Sequence, residues 1–161
     1  MYLLTVWLHV LAAMAWVGGL LFIGLVLVPM MRHSSERGGA PLDLSMAVRR
    51  FRWVAWTALG ILLVTGLAGL VMRGMSDPAA AMWAQPFGRI LAVKLAVVLP
   101  VLLLSAFHDF AIGPRAAALR RAGDPRQRRL GKIASWVARL TLLLTLIIVA
   151  LAIVMVRATP K

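Results

Sequence analysis

Four long apolar runs constrain this chain most, because about 20 apolar residues are enough to cross the hydrocarbon core of a bilayer. Hydrophobic residues make up 62% of the 161 residues and charged residues only 14%, whereas a soluble domain is roughly half apolar and a quarter charged. The sequence therefore predicts an all-α, integral membrane four-helix bundle that forms one domain over residues 1–161. The predicted helices cover residues 3–31, 45–74, 87–111 and 125–157, with 133–156 as the membrane part of the last.

Local signals in the connections predict further structure between these runs. Residues 75–86 contain an Asp-Pro pair, which is a helix-start signal, and predict a short helix at the membrane interface. Gly113 and Pro114 predict the end of the third helix, and residues 114–122 predict a short basic helix after it. Asp124 is expected to cap the last helix.

The distribution of basic residues predicts the orientation of the chain. Thirteen of its 18 basic residues flank the first-to-second and third-to-fourth connections: Arg32, Arg37, Arg49, Arg50, Arg52, Arg115, Arg120, Arg121, Arg126, Arg128, Arg129, Lys132 and Arg139. The remaining five belong to the other side: Arg73, Arg89, Lys94, Arg157 and Lys161. Because cytoplasmic loops are enriched in Lys and Arg, both basic connections are predicted in the cytoplasm and both termini on the outer, periplasmic side. Basic loops beside spans also account for the net charge of +13 without nucleic-acid binding.

The polar residues argue against several kinds of catalysis. All five acidic residues lie in connections or at helix ends, so no carboxylate pair is expected within the membrane for general acid–base hydrolysis. The chain has no cysteine, which excludes thiolate metal sites and thiol catalysis. It also lacks a glycine-rich phosphate loop. We therefore assign no catalytic residue; an enzyme with this sequence would be a haem-dependent membrane oxidoreductase.

The first apolar run carries a histidine and a tryptophan within residues 8–19. At about 100° per residue, one helix face carries His9, Ala12, Ala13, Trp16 and Ile23, and we expect this face to point inward. An ionisable residue within a span is a functional candidate by default, and imidazole is a common ligand for copper and iron. The alternative is that His9 hydrogen-bonds to a carbonyl of a neighbouring helix. His9 is therefore a candidate ligand, and Trp16 a candidate neighbour of the bound group.

The remaining polar residues of the spans can be grouped by their expected depth in the membrane. With a rise of about 1.5 Å per residue, His9 and Lys94 both lie roughly 10 Å below the outer surface and can share a site. His108 lies about 20 Å deeper, at the cytoplasmic end, so His9 and His108 cannot hold one metal ion together. Lys94 either extends to the outer surface or faces inward, where it suits an anionic ligand.

Six features are spread over nearly the whole chain: His9, residues 16–19, Pro29, residues 65–67, residues 94–95 and residues 107–108. In these features the chain resembles the copper-resistance D (CopD) family. The resemblance implies a four-span form of that domain, in an inner-membrane protein for copper uptake or tolerance. The chain is more distantly similar to the HemJ family of membrane protoporphyrinogen oxidases, which bind haem b. That similarity implies roles for His9, Lys94 and His108, but the family's Asn-Glu-x-Pro segment has no counterpart near residues 135–139.

Two hypotheses for function therefore stand. In the first, a CopD-like protein takes copper from the outer side through His9, with help from methionines near that side, and passes it toward His108 and Asp109. In the second, His9 is an axial ligand of haem b, while Lys94 and either Arg73 or Arg89 neutralise its propionates. A cation beside Lys94 is repelled unless that lysine is neutral, which favours the anionic tetrapyrrole. The family resemblance favours copper, which we place first.

The expected partners follow from the same features. The four spans require a lipid bilayer, and a periplasmic copper-binding protein is the candidate soluble partner. Gly66 and Gly69 lie on one face of the second helix, where small residues let another helix approach closely. That face suits a homodimer as well as a contact within the bundle.

Overall fold

The computed structural model describes residues 1–30, 33, 45–72 and 86–157. Those residues are helical apart from Met1 and a turn at residues 122–126, and they contain no strand. The α-helices are α1 (Tyr2–Phe22), α2 (Ser45–Met72), α3 (Pro86–Ala106), α4 (Gly113–Arg121) and α5 (Gln127–Arg157). Two π-helical turns accompany them: Ile23–Leu27 follows α1, and Phe107–Ile112 joins α3 to α4.

Four helical stretches are long and apolar enough to cross a membrane. They are Tyr2–Met30, Met46–Met72, Phe87–Leu119 and Gln127–Arg157, with lengths of 29, 27, 33 and 31 residues. At about 1.5 Å per residue, each exceeds the roughly 30 Å of a hydrocarbon core. This confirms, for the residues that the structure describes, the prediction of an all-helical chain with four helices long and apolar enough to span a membrane.

The chain divides into two compact units, Met1–Ser76 and Asp77–Lys161. In the first unit, α1 and α2 pack against each other in antiparallel directions: Thr5 contacts Met72, and Gly19 contacts Phe51. The buried side chains of this unit are mostly small: Ala12, Trp16, Leu27, Ala55, Ala58, Leu59 and Thr65. The burial of Ala12 and Trp16 confirms the inward face predicted from their spacing.

The second unit is built on α3 and α5, which pack along each other. Its buried side chains are Leu91, Val101, Ile112, Thr141 and Thr145. Both threonines donate their hydroxyl hydrogens within α5, Thr141 to the carbonyl of Val137 at 2.9 Å and Thr145 to that of Thr141 at 2.7 Å. These bonds satisfy the hydroxyls inside an apolar core, where an unpaired polar group is costly.

The predicted end of the third helix at Gly113 and Pro114 is wrong, because the chain stays helical through Arg121. The N–H of Gly113 donates to the carbonyl of His108, five residues back, which is π-helical pairing. Pro114 has no N–H to donate, and in an α-helix its ring would clash with the carbonyl four residues earlier. The wider turn offers a register in which the proline is accommodated without ending the helix.

The turn before α5 contains the predicted cap. Asp124 Oδ1 accepts a hydrogen bond of 2.7 Å from the backbone N–H of Arg126, and its carbonyl accepts one of 3.0 Å from Gln127. Gly123 has a φ of 65°, a left-handed conformation that glycine adopts without steric cost. The short helix predicted at residues 75–86 falls mostly outside the described residues.

Candidate functional site

His9 on α1 is held by a threonine of α2. The Nδ1 atom of His9 lies 2.8 Å from Oγ1 of Thr65, within the first unit. Thr65 is buried and His9 is partly buried. The partner of Nδ1 is therefore a side-chain hydroxyl and not a backbone carbonyl, which was the alternative expected from the sequence.

The second contact of the threonine fixes the tautomer of the histidine. Thr65 Oγ1 also lies 2.6 Å from the carbonyl oxygen of Ile61, four residues earlier on α2. A hydroxyl has one hydrogen to donate, and the carbonyl can only accept, so that hydrogen goes to Ile61. Oγ1 must then accept from Nδ1–H of His9. In a neutral imidazole, this places the lone pair on Nε2, the type of atom through which histidines bind metal ions.

Small residues allow the imidazole to lie close to α2. A β-carbon added at Gly66 would lie 3.6 Å from Cε1 of His9, at ordinary van der Waals distance. Ala12 and Trp16 follow on the same face of α1 and are 6% and 5% exposed. Trp16 is thus a packing residue of the helix pair at the next turns below the histidine.

The thioether of Met72 contacts a residue that lies one helical turn from the histidine. Thr5 precedes His9 by one turn of α1, and its Oγ1 lies 4.0 Å from Sδ of Met72 at the end of α2. Residues four apart on a helix have β-carbons about 5–6 Å apart. An imidazole and a soft sulfur donor therefore occupy neighbouring turns of the same helix pair.

The donor set limits what this site could hold. Within the described residues, no group of three or more His, Cys, Asp or Glu side chains lies close enough to bind a metal ion. Zn²⁺ in structural sites takes four ligands from such groups. Imidazole and thioether ligands instead suit copper, and thioethers favour Cu(I). The residues present fit a loosely held copper ion better than a permanent structural metal.

His108 lies in the second π-helical turn and contacts its neighbour in sequence. Its Nδ1 atom lies 3.1 Å from Oδ1 of Asp109, and the two side chains are 36% and 25% exposed. A carboxylate accepts from Nδ1–H and leaves the lone pair of the ring on Nε2, as at many metal-bound histidines. Both rings thus have a partner at Nδ1, a hydroxyl for His9 and a carboxylate for His108.

Two further predicted site residues, Lys94 and Arg73, stay predictions. Lys94 is half-buried on α3, on the helix stripe that also carries the buried residues Leu91 and Val101. Arg73 lies outside the described residues. The sharing of one site by His9 and Lys94 stays a prediction.

Thr65 was not among the predicted site residues, although its position carried a signal. His9 lies seven residues from the start of α1, and Thr65 lies seven residues from the end of α2. Because the two helices are antiparallel, equal distances from these ends place the two residues at the same level. The depth count that linked His9 to Lys94 also applies to polar residues of the second helix.

The fold and this site define a multi-span membrane protein with an oriented histidine inside its first helix pair. A family model described as copper resistance protein D (CopD) matches residues 45–155, which is more than half of the chain. The chain therefore belongs to the CopD family. The match begins at α2, so it includes Thr65, Lys94 and His108, whereas His9 precedes it.

The other comparisons add a relative of unstated function. The chain is 29% identical over 153 residues to an uncharacterized protein of Aquifex aeolicus (strain VF5), covering 93% of this chain and 92% of the relative. No solved structure matches the chain. Family membership thus makes this a copper-resistance membrane protein.

Proposed function

We propose that this protein carries copper across the membrane for uptake or tolerance and binds it first at His9. The observation that supports this proposal best is the chain of hydrogen bonds from His9 to Thr65 to Ile61. That chain leaves the lone pair of His9 on Nε2 and holds the ring by its other nitrogen, as metal-binding histidines are usually held. Copper is the cargo in this proposal and not a resident cofactor.

The sparse donor set supports a role in transfer. A carrier must bind its ion well enough to accept it and weakly enough to release it. One imidazole with the thioether of Met72 in a neighbouring turn offers two soft or intermediate donors, which suit Cu(I) at low coordination number. His108, oriented by Asp109, is the proposed second binding residue on the way.

Copper accumulation in cells tests the proposal. Cells that express the protein should contain a different amount of copper from cells that lack it, and His9→Ala should remove that difference. His33→Ala is the matched control, because His33 is exposed and its Nδ1 lies 3.3 Å from the carbonyl oxygen of Pro29, away from Thr65. Equal copper contents in all four strains would overturn the proposal.

An absorption spectrum of the purified protein distinguishes copper from haem b. Expression in haem-replete cells followed by purification should yield a protein without a Soret band if copper is the only ligand. A Soret band that is lost in His9→Ala would instead assign His9 as an axial haem ligand. The protein would then be a haem protein, in which Lys94 and Arg73 are the candidate partners of the propionates.

A further inference from the structure

One exposed face of α5 carries three basic residues and a tryptophan at its N-terminal end. Arg128, Lys132, Trp136 and Arg139 are spaced by four, four and three residues, which places them on one side of a helix. All four are exposed, and Trp136 is 69% exposed. We call these four residues the basic face.

The deepest cation of this face points back along the helix. The guanidinium carbon Cζ of Arg139 lies 5.6 Å from the centre of the Trp136 ring. Helical side chains lean toward the N-terminus, so Arg139 reaches over Trp136 toward Lys132. A guanidinium stacked on a ring keeps the N–H groups at its edge available as donors, and these match the oxygens of a phosphate.

The same side of α5 becomes apolar immediately beyond the cations. Leu143, Leu146 and Ile147 are 57%, 44% and 41% exposed. They follow Arg139 by one to two turns, and residues 140–156 contain no charged side chain. The face therefore changes from cations that surround an aromatic ring to aliphatic surface, as a phospholipid changes from phosphate to acyl chain.

The chain supplies no described counter-charge for this face. The acidic residues among the described ones are Asp109 and Asp124. Asp109 pairs with His108, and Asp124 accepts the backbone N–H of Arg126. Within the described part of the chain, no carboxylate forms an ion pair with Arg128, Lys132 or Arg139. The described part of the chain therefore leaves the charges of these three residues unpaired by any carboxylate.

We propose that the basic face of α5 binds the phosphate of an anionic phospholipid, whose acyl chains lie along Leu143 and Leu146. Lys132 and Arg139 contact the phosphate from two sides, and Trp136 occupies the interface between headgroup and chain, where tryptophan is enriched in membrane proteins. Arg128 adds charge one turn above. This site is independent of the copper proposal, because none of its residues belongs to that binding route.

Thermal unfolding of the full-length protein in a non-ionic detergent tests this site. Dioctanoyl phosphatidylglycerol is titrated against dioctanoyl phosphatidylcholine, and the lipid dependence of Tm gives an apparent affinity. Each basic residue near an anionic surface contributes about fivefold in affinity. The variant R128Q/K132Q/R139Q should therefore bind phosphatidylglycerol about 100-fold more weakly, with little change for phosphatidylcholine.

A second triple variant controls for diffuse charge. R115Q/R121Q/R126Q removes three exposed cations from α4 and the following turn and should weaken binding less than tenfold. Equal losses in both triple variants would overturn a defined site on α5. Arg128→Lys with Arg139→Lys keeps the charges and should retain affinity within about fivefold. If the glutamine variant does not elute as a folded protein, Lys132→Gln alone should lose about fivefold.

Further ligands separate a lipid from other anions. Inorganic phosphate and a short single-stranded RNA are titrated in the same assay. Stabilisation by phosphatidylglycerol alone supports the proposal. Inorganic phosphate acting as strongly as the lipid would show that the acyl chains contribute nothing, and stabilisation by RNA without a lipid effect would assign the face to another partner. Either of these last two results overturns the proposed phospholipid site.

Discussion

The contact between Thr65 and His9 shows how one hydroxyl can decide the chemistry of a ring. Thr65 accepts from Nδ1 only because its own hydrogen goes to the carbonyl of Ile61. In a helix without that carbonyl contact, the hydroxyl could donate to the ring instead and leave the hydrogen on Nε2. The nitrogen of His9 that carries the hydrogen therefore depends on a backbone carbonyl of α2, which acts through the hydroxyl of Thr65.

Replacement of Thr65 should weaken copper binding although Thr65 need not touch the metal. Thr65→Val keeps the shape and removes the acceptor, so the ring loses its orientation. Loss of such an orienting partner typically costs about 10–100-fold in metal affinity. Thr65→Ser retains the hydroxyl and should stay within a few-fold of the wild type. Competition with a Cu(I) chelator measures both; equal affinities for the valine and serine variants would remove Thr65 from the site.

Two adjacent glycines of α1 should respond differently to the same substitution. A β-carbon at Gly19 would overlap Cε2 and Cζ of Phe51, whereas a β-carbon at Gly18 meets nothing within 4 Å. Overpacking costs about 1–3 kcal/mol, so Gly19→Ala should lower the free energy of unfolding by that amount. Gly18→Ala should raise it by about 0.5–1 kcal/mol, because alanine is the better helix former. Unfolding in mixed micelles measures both, and equal effects would show that Phe51 moves aside freely.

The sequence predicted the buried positions of α1 but not the partner of its histidine. Spacing of about 100° per residue is a local property, and it correctly placed Ala12 and Trp16 on the inward face. The choice of Thr65 depends on which helices pair and in which register. Two antiparallel helices can slide past each other without changing either hydropathy pattern, so only the packing of residues such as Gly19 and Phe51 sets the register.

At the scale of elements, both π-helical turns lie just before a proline. Ile23–Leu27 ends two residues before Pro29, and Phe107–Ile112 ends two residues before Pro114. A hydropathy profile reveals neither π-helical turn, because the one extra residue of such a turn hardly changes an apolar run. From the sequence alone, Pro114 therefore predicts the end of a helix, whereas the wider turn lets the helix continue past it.

Substitution of Pro100 and Pro114 should distinguish a proline inside an α-helix from one that follows a π-helical turn. Pro100 lies inside the α-helical part of α3, so Pro100→Ala can restore a backbone hydrogen bond and remove a clash, for a gain of up to about 3 kcal/mol. Pro114 follows the π-helical turn, which already relieves the clash, so Pro114→Ala should gain clearly less. Unfolding free energies of the two variants test this order. A gain for Pro114→Ala equal to that for Pro100→Ala would mean that the π-helical turn relieves nothing.

The two histidines differ in the element that carries them. His9 lies in a regular α-helix and needs a second helix to orient it, whereas His108 lies in a π-helical turn beside Asp109. Neighbouring residues do not face each other on a regular α-helix, and π-helical turns occur often at functional sites. The sequence showed both histidines but could not show that one of them has its carboxylate partner at the next position.

At the scale of the whole molecule, the charge distribution makes a prediction that is separate from the fold. The four spans are evident from hydropathy, but their direction across the membrane depends on the 18 basic residues, most of which flank two of the three connections. The positive-inside rule places the connection between α4 and α5 in the cytoplasm and both termini outside. The proposed lipid site on α5 would then lie in the cytoplasmic leaflet, where anionic lipids attract basic segments.

Cysteine labelling can test this orientation without background, because the chain contains no cysteine. Ala122→Cys introduces a thiol into the exposed turn before α5, and Lys161→Cys introduces one at the C-terminus. A membrane-impermeant maleimide added to intact spheroplasts should label position 161 at once and position 122 only after permeabilisation. The reverse pattern would place the basic connections outside. His9 would then lie near the cytoplasmic surface, and the copper route that begins at His9 would describe export.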